Sequence, residues 1–240
     1  MVDIHSHILP EVDDGARSWE MSVHMCHMAA QDGITHMVAT PHSNDEYLYD
    51  RAALEQKLHE LHQRIGAIID LSLGCDFHFS YENLVEFEQT PERFIIADTM
   101  YMLIELSDYS IAPWVSGKLD DLLASGIRPI ITHPERNLLL QKHPEQVFEW
   151  AQMGCPVQVT ANSLTGSWGD KASKAAQWLL RKEAVHIVAT DAHNVEGRPP
   201  ILSKAASVLE KGYGAEVAHA LTTENPLAVV ENRVLPYFPG

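Results

Sequence analysis

Cysteine, basic charge and long apolar runs are all scarce in this chain, and each shortage removes a class of protein. Cys26, Cys75 and Cys155 are odd in number and far apart. They build no disulfide framework and fit a reducing compartment. Thiolate-based hydrolysis of phosphate esters needs a phosphate-cradling loop with an arginine six residues after the nucleophile, and here those positions are Asp32, Tyr81 and Ala161. That chemistry is excluded. Lysine and arginine total 17 against 33 aspartate and glutamate, a formal net charge of −16. A nucleic-acid backbone wants a basic face, so no nucleic-acid partner is expected. A small phosphorylated substrate stays compatible, because bound divalent cations reverse the local field. No apolar run reaches the roughly 18 residues of a membrane helix, so no direct membrane insertion is expected. The first strand begins at Val2 and leaves no room for a signal peptide, which makes the cytoplasm the expected location. No linker, low-complexity tract or repeat interrupts the 240 residues. That length suits one α/β barrel with a full core, and one domain over residues 1–240 is expected.

What is abundant is histidine, 14 in all, and its placement follows the element order. Residues 2–4 read as a short strand, and residues two apart on an extended chain face the same way, so His5 and His7 leave it side by side. Asp13 and Asp14 follow in one loop. Ser18 is a good N-cap and Gly33 a good stop for a helix between them. Residues 34–39 form a second apolar strand that delivers His42, and residues 50–66 are the clearest helix, with Leu54, Leu58, Leu61 and Ile65 on one face. A third apolar run, 67–73, leads to Gly74, Cys75 and Asp76. Residues 81–94 read weakly as helix. The fourth strand, 101–104, is closed by Glu105. A helix over about 113–125, a strand over 128–132 and His133 come next. Then follow a helix over 144–153 with proline at its start, a sixth strand in CPVQVTAN followed only by Asn162, a helix over 171–182, and a seventh strand over 184–190 that runs into Asp191 and His193. The tail reads as helices near 201–211 and 215–221 with an irregular end.

Seven strands alternating with helices are the signature of parallel βαβ units with right-handed crossovers. In parallel α/β barrels the chemistry sits at the carboxyl ends of the strands. His5, His7, His42, Asp76, Glu105, His133, Asp191 and His193 all fall at or just past such an end, and six of the seven strands contribute. Imidazole and carboxylate together are the ligands of Zn, Mn or Fe. Chance placement would scatter these residues over helices and both barrel ends. The other nine histidines, His78 among them, are expected to be structural or solvated.

HSHILPEVDDGA, ATPH, LIELS, THPERN and ATDAHN, in that order, resemble the PHP (polymerase and histidinol phosphatase) superfamily. More closely, the chain resembles the bacterial tyrosine-protein phosphatases of the CpsB/YwqE type that accompany capsule or exopolysaccharide synthesis. The resemblance implies a distorted (β/α)7 TIM-like barrel with three divalent metal ions, manganese, iron or zinc. Carried over by position, it implies His5, His7 and Asp191 on a first metal, and Asp76 bridging to a second that Glu105 and His133 complete. Asp14, His42 and His193 would hold the third. The family commonly has glutamate at the bridge where this chain has Asp76, one methylene shorter, and Glu82 is a fallback ligand. Arg136 in HPERN and Arg198 in GRPP match family positions expected to grip phosphate, for which a guanidinium fork is suited.

The chemistry expected from such a site is hydrolysis of a phosphomonoester by in-line attack, without a covalent enzyme intermediate. A tyrosine phenolate has a pKa near ~10 and leaves readily, so a strong general acid is dispensable. The expected substrate is a phosphotyrosine protein, by resemblance a bacterial tyrosine autokinase with a tyrosine-rich tail. The alternative is a small-molecule phosphatase of the same superfamily, such as one for histidinol phosphate. An amidohydrolase-type barrel also opens with HxH but uses a carboxylated lysine at a strand end, and no lysine here occupies one.

Overall fold

The computed structural model describes residues 1–239. Short, mostly buried segments form β1 (Val2–Ser6), β2 (His36–Ala39), β3 (His42–Ser43), β4 (Asp70–Leu73), β5 (Asp76–His78), β6 (Tyr101–Glu105), β7 (Arg128–Thr132), β8 (Val157–Thr160) and β9 (Ile187–Ala189). Every pairing is parallel. One sheet runs β1-β2-β4 and the other β3-β5-β6-β7-β8-β9. The gap between β1 and β9 is closed by backbone bonds, Asp191 N–H to the His5 carbonyl at 2.9 Å and His7 N–H to the Ala192 carbonyl at 2.8 Å. Asp3 ties the same seam from its buried side chain, accepting from the Thr190 N–H at 3.0 Å and from the Thr190 hydroxyl.

Nine segments make seven staves, because the second and third are each broken in two. Pro41 has no N–H to continue the ladder after β2, and Gly74 and Cys75 separate β4 from β5. A Cβ on Gly74 would come within 3.1–3.2 Å of Ile96, Thr40 and Val38 side chains. An added methyl group would press on all three side chains where the two strands pass. The expected strands thus end where predicted, but the chain resumes pairing immediately, His42 opposite Asp76 and His78 opposite Glu105. His42 and Asp76 therefore open short strands of their own; the sequence reading had them just past the ends of longer ones.

The first and fifth helices form where their capping residues placed them, and the second where its apolar face did. α1 (Trp19–Gln31) is capped by the Ser18 hydroxyl, which accepts from the Met21 N–H, and α2 (Arg51–Ile65) by Asp50 on the Ala53 N–H. α3 is Tyr81–Gln89, followed by a 3₁₀ turn at Pro91–Arg93. α4 (Val115–Ala124) precedes β7. α5 (Pro144–Met153) has the bounds read from its proline and Gly154, which adopts φ 111°. Two elements differ from expectation. β8 runs directly into a one-turn helix, α6 (Ala161–Leu164), before α7 (Asp170–Arg181). Past α8 (Ser203–Tyr213) and α9 (Ala215–His219), the tail continues as a π-turn, Ala220–Glu224, and α10 (Asn225–Val230), instead of ending irregularly.

Alternate residues of the same strands divide between two apolar clusters, as a two-residue period requires. Met102, Ile104, Ile131 and Val188 pack with the helices that flank the sheets. Leu103, Ile130 and Ile187 pack with Val2, Ile4 and the α10 residues Ala228 and Val229. No helix among the described residues is long and apolar enough to cross a membrane.

Candidate metal centre

The closed seam and the broken staves bring all nine expected ligand residues to one end of the barrel. His5 Nε2, His7 Nε2 and Asp191 Oδ1 lie 3.4 Å from one another in every pairing. Ligands held at ~2.1 Å in tetrahedral directions stand about 3.4 Å apart, so this triplet has the spacing of a coordination shell. Asp76 Oδ2 stands 3.5 Å from His5 Nε2, 3.3 Å from His42 Nδ1 and 3.9 Å from His133 Nε2. Glu105 reaches His42 at 3.6 Å and His133 at 3.9 Å. Asp14 Oδ1 sits 3.4 Å from His42 Nε2 and 3.2 Å from His193 Nε2. His7 joins that last group, which the family-based assignment had limited to Asp14, His42 and His193. Glu82 is exposed on α3 and outside the cluster.

The carboxylates grade from closed to open. Asp76 and Asp191 are buried, whereas the Asp14 side chain is 47% exposed and Glu105 23%. Both oxygens of Asp76 lack a hydrogen-bond donor, as does His42 Nδ1 a partner. A buried carboxylate without donors is costly unless cations face it. The imidazoles around it offer lone pairs, so the residues present fit divalent cations.

Outer partners hold the rings in place. His5 Nδ1–H donates to Gln158 Oε1 at 2.9 Å, His7 Nδ1–H to Asp13 Oδ2 at 2.6 Å, and His193 Nδ1–H to the Asp191 carbonyl at 3.0 Å. Each bond fixes the tautomer that leaves Nε2 free toward the centre. Asp13 also accepts from the His42 and Gly15 N–H groups. A Cβ at Gly15 would fall 2.2 Å from the His7 carbonyl oxygen. The loop closes on His7 only with glycine there. His133 and Asp191 have φ of 33° and 52°, the left-handed region that non-glycine residues enter at a cost, and both strained positions lie in the cluster.

Charge completes the picture. Burial opposes a charge on His5, but the Asp76 and Asp191 carboxylates outweigh it and hold its pKa up at about 9. His42 is likewise pushed up to about 12 against its burial, by Asp14, Asp76 and Glu105. Burial and the neighbouring His7 take His193 down to about 4 despite Asp14. Asp76 and Asp191 stay well below the usual carboxylate range even though burial opposes it, Asp76 through His5, His133 and His42, and Asp191 through His5, Arg136 and Arg198. The site keeps Asp76 and Asp191 ionised. The three cysteines are buried elsewhere, and burial raises Cys26 and Cys155 to about 12, as inert thiols.

Arg136 and Arg198 both reach the centre, where they donate to Asp191 Oδ2, Arg198 at 2.5 Å. Trp168, from the loop between α6 and α7, covers them with its ring, 3.7 Å from the Arg136 guanidinium and 5.2 Å from that of Arg198. A cavity of about 220 Å³ opens between Glu105, His133, Arg136 and Trp168. Asp13, Gln158 and Trp168 were not singled out from sequence. The doubled aspartate marked the loop, but no signal in the sequence marked Gln158 or Trp168.

A parallel barrel of broken staves, with a histidine and carboxylate centre of metal-ligand spacing at the carboxyl ends of its strands, defines a hydrolase-type metal barrel. Residues 1–231 match the model of the capsular polysaccharide synthesis family CpsB/CapC. The chain belongs to that family. It is 33% identical over 238 residues to the tyrosine-protein phosphatase YwqE of Bacillus subtilis, covering 98% of this chain and 93% of the relative. It is 29% identical over 244 residues to the tyrosine-protein phosphatase CpsB of Streptococcus pneumoniae, covering 98% and 100%. A crystal structure from the work on those two proteins, described as unique metal-dependent tyrosine phosphatases, superposes with a TM-score of 0.92 at 32% identity, over 100% of this chain and 99% of that one.

Proposed function

We propose that this chain is a metal-dependent protein-tyrosine phosphatase whose substrate is a bacterial tyrosine autokinase of capsule or exopolysaccharide synthesis. The observation that carries the reading is the buried Asp76 carboxylate, without a hydrogen-bond donor and ringed by His5, His42 and His133, in a member of this family. Its nine residues would hold three divalent ions: His5, His7 and Asp191 the first, Glu105 and His133 the second with Asp76 between them, and Asp14, His42 and His193 the third. Bound there, such ions supply Lewis acidity toward the phosphoryl oxygens and acidify a water toward neutral pH.

The chain's own groups do the rest. Arg136 and Arg198 present guanidinium forks beside the centre and offset charge on the phosphoryl oxygens as the ester bond breaks. Arg136 Nε is buried without an acceptor, which a phosphoryl oxygen would supply. Trp168, Leu106 and Leu140 wall the adjacent cavity and suit an aromatic leaving group. Gln158 and Asp13 keep His5 and His7 from turning away.

The test is phosphate release at neutral pH from a phosphotyrosyl peptide, a phosphoseryl peptide and histidinol phosphate, with added Mn²⁺ and with a chelator. Metal-dependent preference for phosphotyrosine is expected, and Glu105→Gln and His42→Ala should abolish it while the circular dichroism spectrum stays unchanged. Preference for histidinol phosphate would move the protein to small-molecule metabolism.

A further inference from the structure

Three of the eight lysines, Lys142, Lys171 and Lys174, gather round one groove of about 580 Å³. Lys171, Lys174 and Trp178 stand at i, i+3 and i+7 on α7, one helical face, while Lys142 and Pro144 at the start of α5 form the facing wall. All three lysines are exposed, and no described carboxylate pairs with any of them. Among the other basic groups, Arg51, Arg64, Arg93 and Lys118 each hold an acidic partner. What sets these three apart is their convergence on one groove whose lining holds no acidic residue.

The groove also leads somewhere. Leu138, 57% exposed, lines both it and the cavity formed by Glu105, His133, Arg136 and Trp168. On the other side of the centre, the rim carries Asp45 and Glu46, while Asp108 stands at Leu138 and accepts its N–H at 3.3 Å. The mouth is therefore polar, basic beyond Leu138 and acidic opposite.

We propose that the lysine groove docks an acidic segment of the phosphoprotein substrate, next to the phosphorylated tyrosine; this rests on the phosphotyrosine reading above. With the phosphoryl group at the centre, the flanking chain passes over Leu138. Acidic side chains are drawn to the three lysines and repelled by the opposite rim, so charge sets the direction in which the peptide lies. Leu138 and Trp178 give the segment apolar contact between the charges. The orientation adds specificity that a small aryl phosphate does not use.

The experiment compares KM for phosphotyrosyl peptides with glutamate-rich flanks on either side, the same peptides with serine and glycine flanks, and p-nitrophenyl phosphate. Exposed ion pairs are individually weak, so three together should lower KM for an acidic-flank peptide by about tenfold at low salt, an advantage that fades as salt rises. In the K142E/K171E/K174E variant that advantage should vanish and a lysine-flanked peptide should gain, with p-nitrophenyl phosphate hydrolysis and melting temperature unchanged. Equal KM values for acidic and neutral peptides, or an advantage the variant retains, overturn the proposal. If wild type hydrolyses no phosphotyrosyl peptide, the reading beneath it fails instead. Fluorescence anisotropy of the labelled acidic-flank peptide then decides the docking surface: weaker binding to the variant upholds it, and equal binding overturns it.

Discussion

At Asp13 and Asp14 two identical side chains in succession do different work. Asp14 turns its carboxylate to His42 and His193, while Asp13 is buried against the His7 ring and never faces the centre. Groups that orient ligating histidines through the far ring nitrogen typically matter by about 10–100-fold in metal affinity or activity. Asp13→Asn should therefore lower metal affinity and turnover by about that factor while leaving the fold, measured by metal titration beside phosphate release; wild-type affinity in the variant would dismiss the role. Trp168 is the second such residue. Its ring packs on both arginines, and a cation–π contact contributes on the order of 0.5–2 kcal/mol. Trp168→Ala should raise KM for an aryl phosphate by about tenfold with a smaller change in kcat, and Trp168→Phe should recover most of the loss. The ligand positions were legible because metal chemistry restricts them to a few residue types, and because strand ends can be read from apolar runs. The residues that aim the ligands were not. Gln158 is a neutral amide inside a strand and Trp168 sits in a loop, and only the folded chain brings them to His5 and the arginines.

Among the elements, capping chemistry made α1 and α5 readable nearly to the residue, since Ser18, Pro144 and Gly154 act within their own turns, and the apolar face of Leu54, Leu58, Leu61 and Ile65 marked α2. The breaks at Pro41 and Gly74 were visible as residues but not as resumed pairing, which depends on the neighbouring strand. α10 was missed for a related reason: it is held from a distance. Asn225 at its start donates to the His186 carbonyl at 2.8 Å and accepts from the Tyr237 N–H at 3.0 Å, while the Phe238 ring packs 4.0 Å from the His186 ring. His186, just before β9, is buried and accepts the Val157 N–H at 3.0 Å through Nδ1. Burial takes its pKa down to about 3 from the ordinary 6.5. The folded chain then binds this proton less readily than the unfolded one. The contribution to stability is fully present above about pH 6.5 and is lost progressively as pH falls from there toward 3. His186→Gln, which keeps an acceptor for Val157, should flatten that part of the curve. At pH 4 its disadvantage against wild type should shrink by on the order of 2–3 kcal/mol compared with pH 7. Parallel melting curves for the two proteins from pH 7 down to 4 would remove His186 as the acid-sensitive group.

For the whole molecule, the net charge of −16 and the metal centre are one problem. Asp14, Asp76, Glu105 and Asp191 converge at one end of the barrel with only Arg136 and Arg198 as permanent cations beside them. Without divalent ions His5 and His42 carry protons in their place, as their raised pKa values express. The barrel itself does not depend on that centre. Its two apolar clusters run through every stave, and the β1–β9 seam is closed by backbone bonds and by Asp3 on Thr190. Chelation should therefore leave the circular dichroism spectrum folded and lower the melting temperature. A ligand at 100 times its dissociation constant contributes about 2.7 kcal/mol to the folded state. In a chain of this size each kcal/mol is worth about 2–4 °C. A rise of roughly 5–10 °C is expected as Mn²⁺ is titrated into chelated protein, continuing in proportion to the logarithm of free metal once the sites are filled. Asp76→Asn should remove most of the rise. It should also raise the melting temperature of the chelated protein relative to wild type, because an amide at that buried position no longer needs a cation to face it. A variant that is no more stable than wild type without metal, and gains as much on adding it, would mean that the Asp76 charge is not what the metal neutralises.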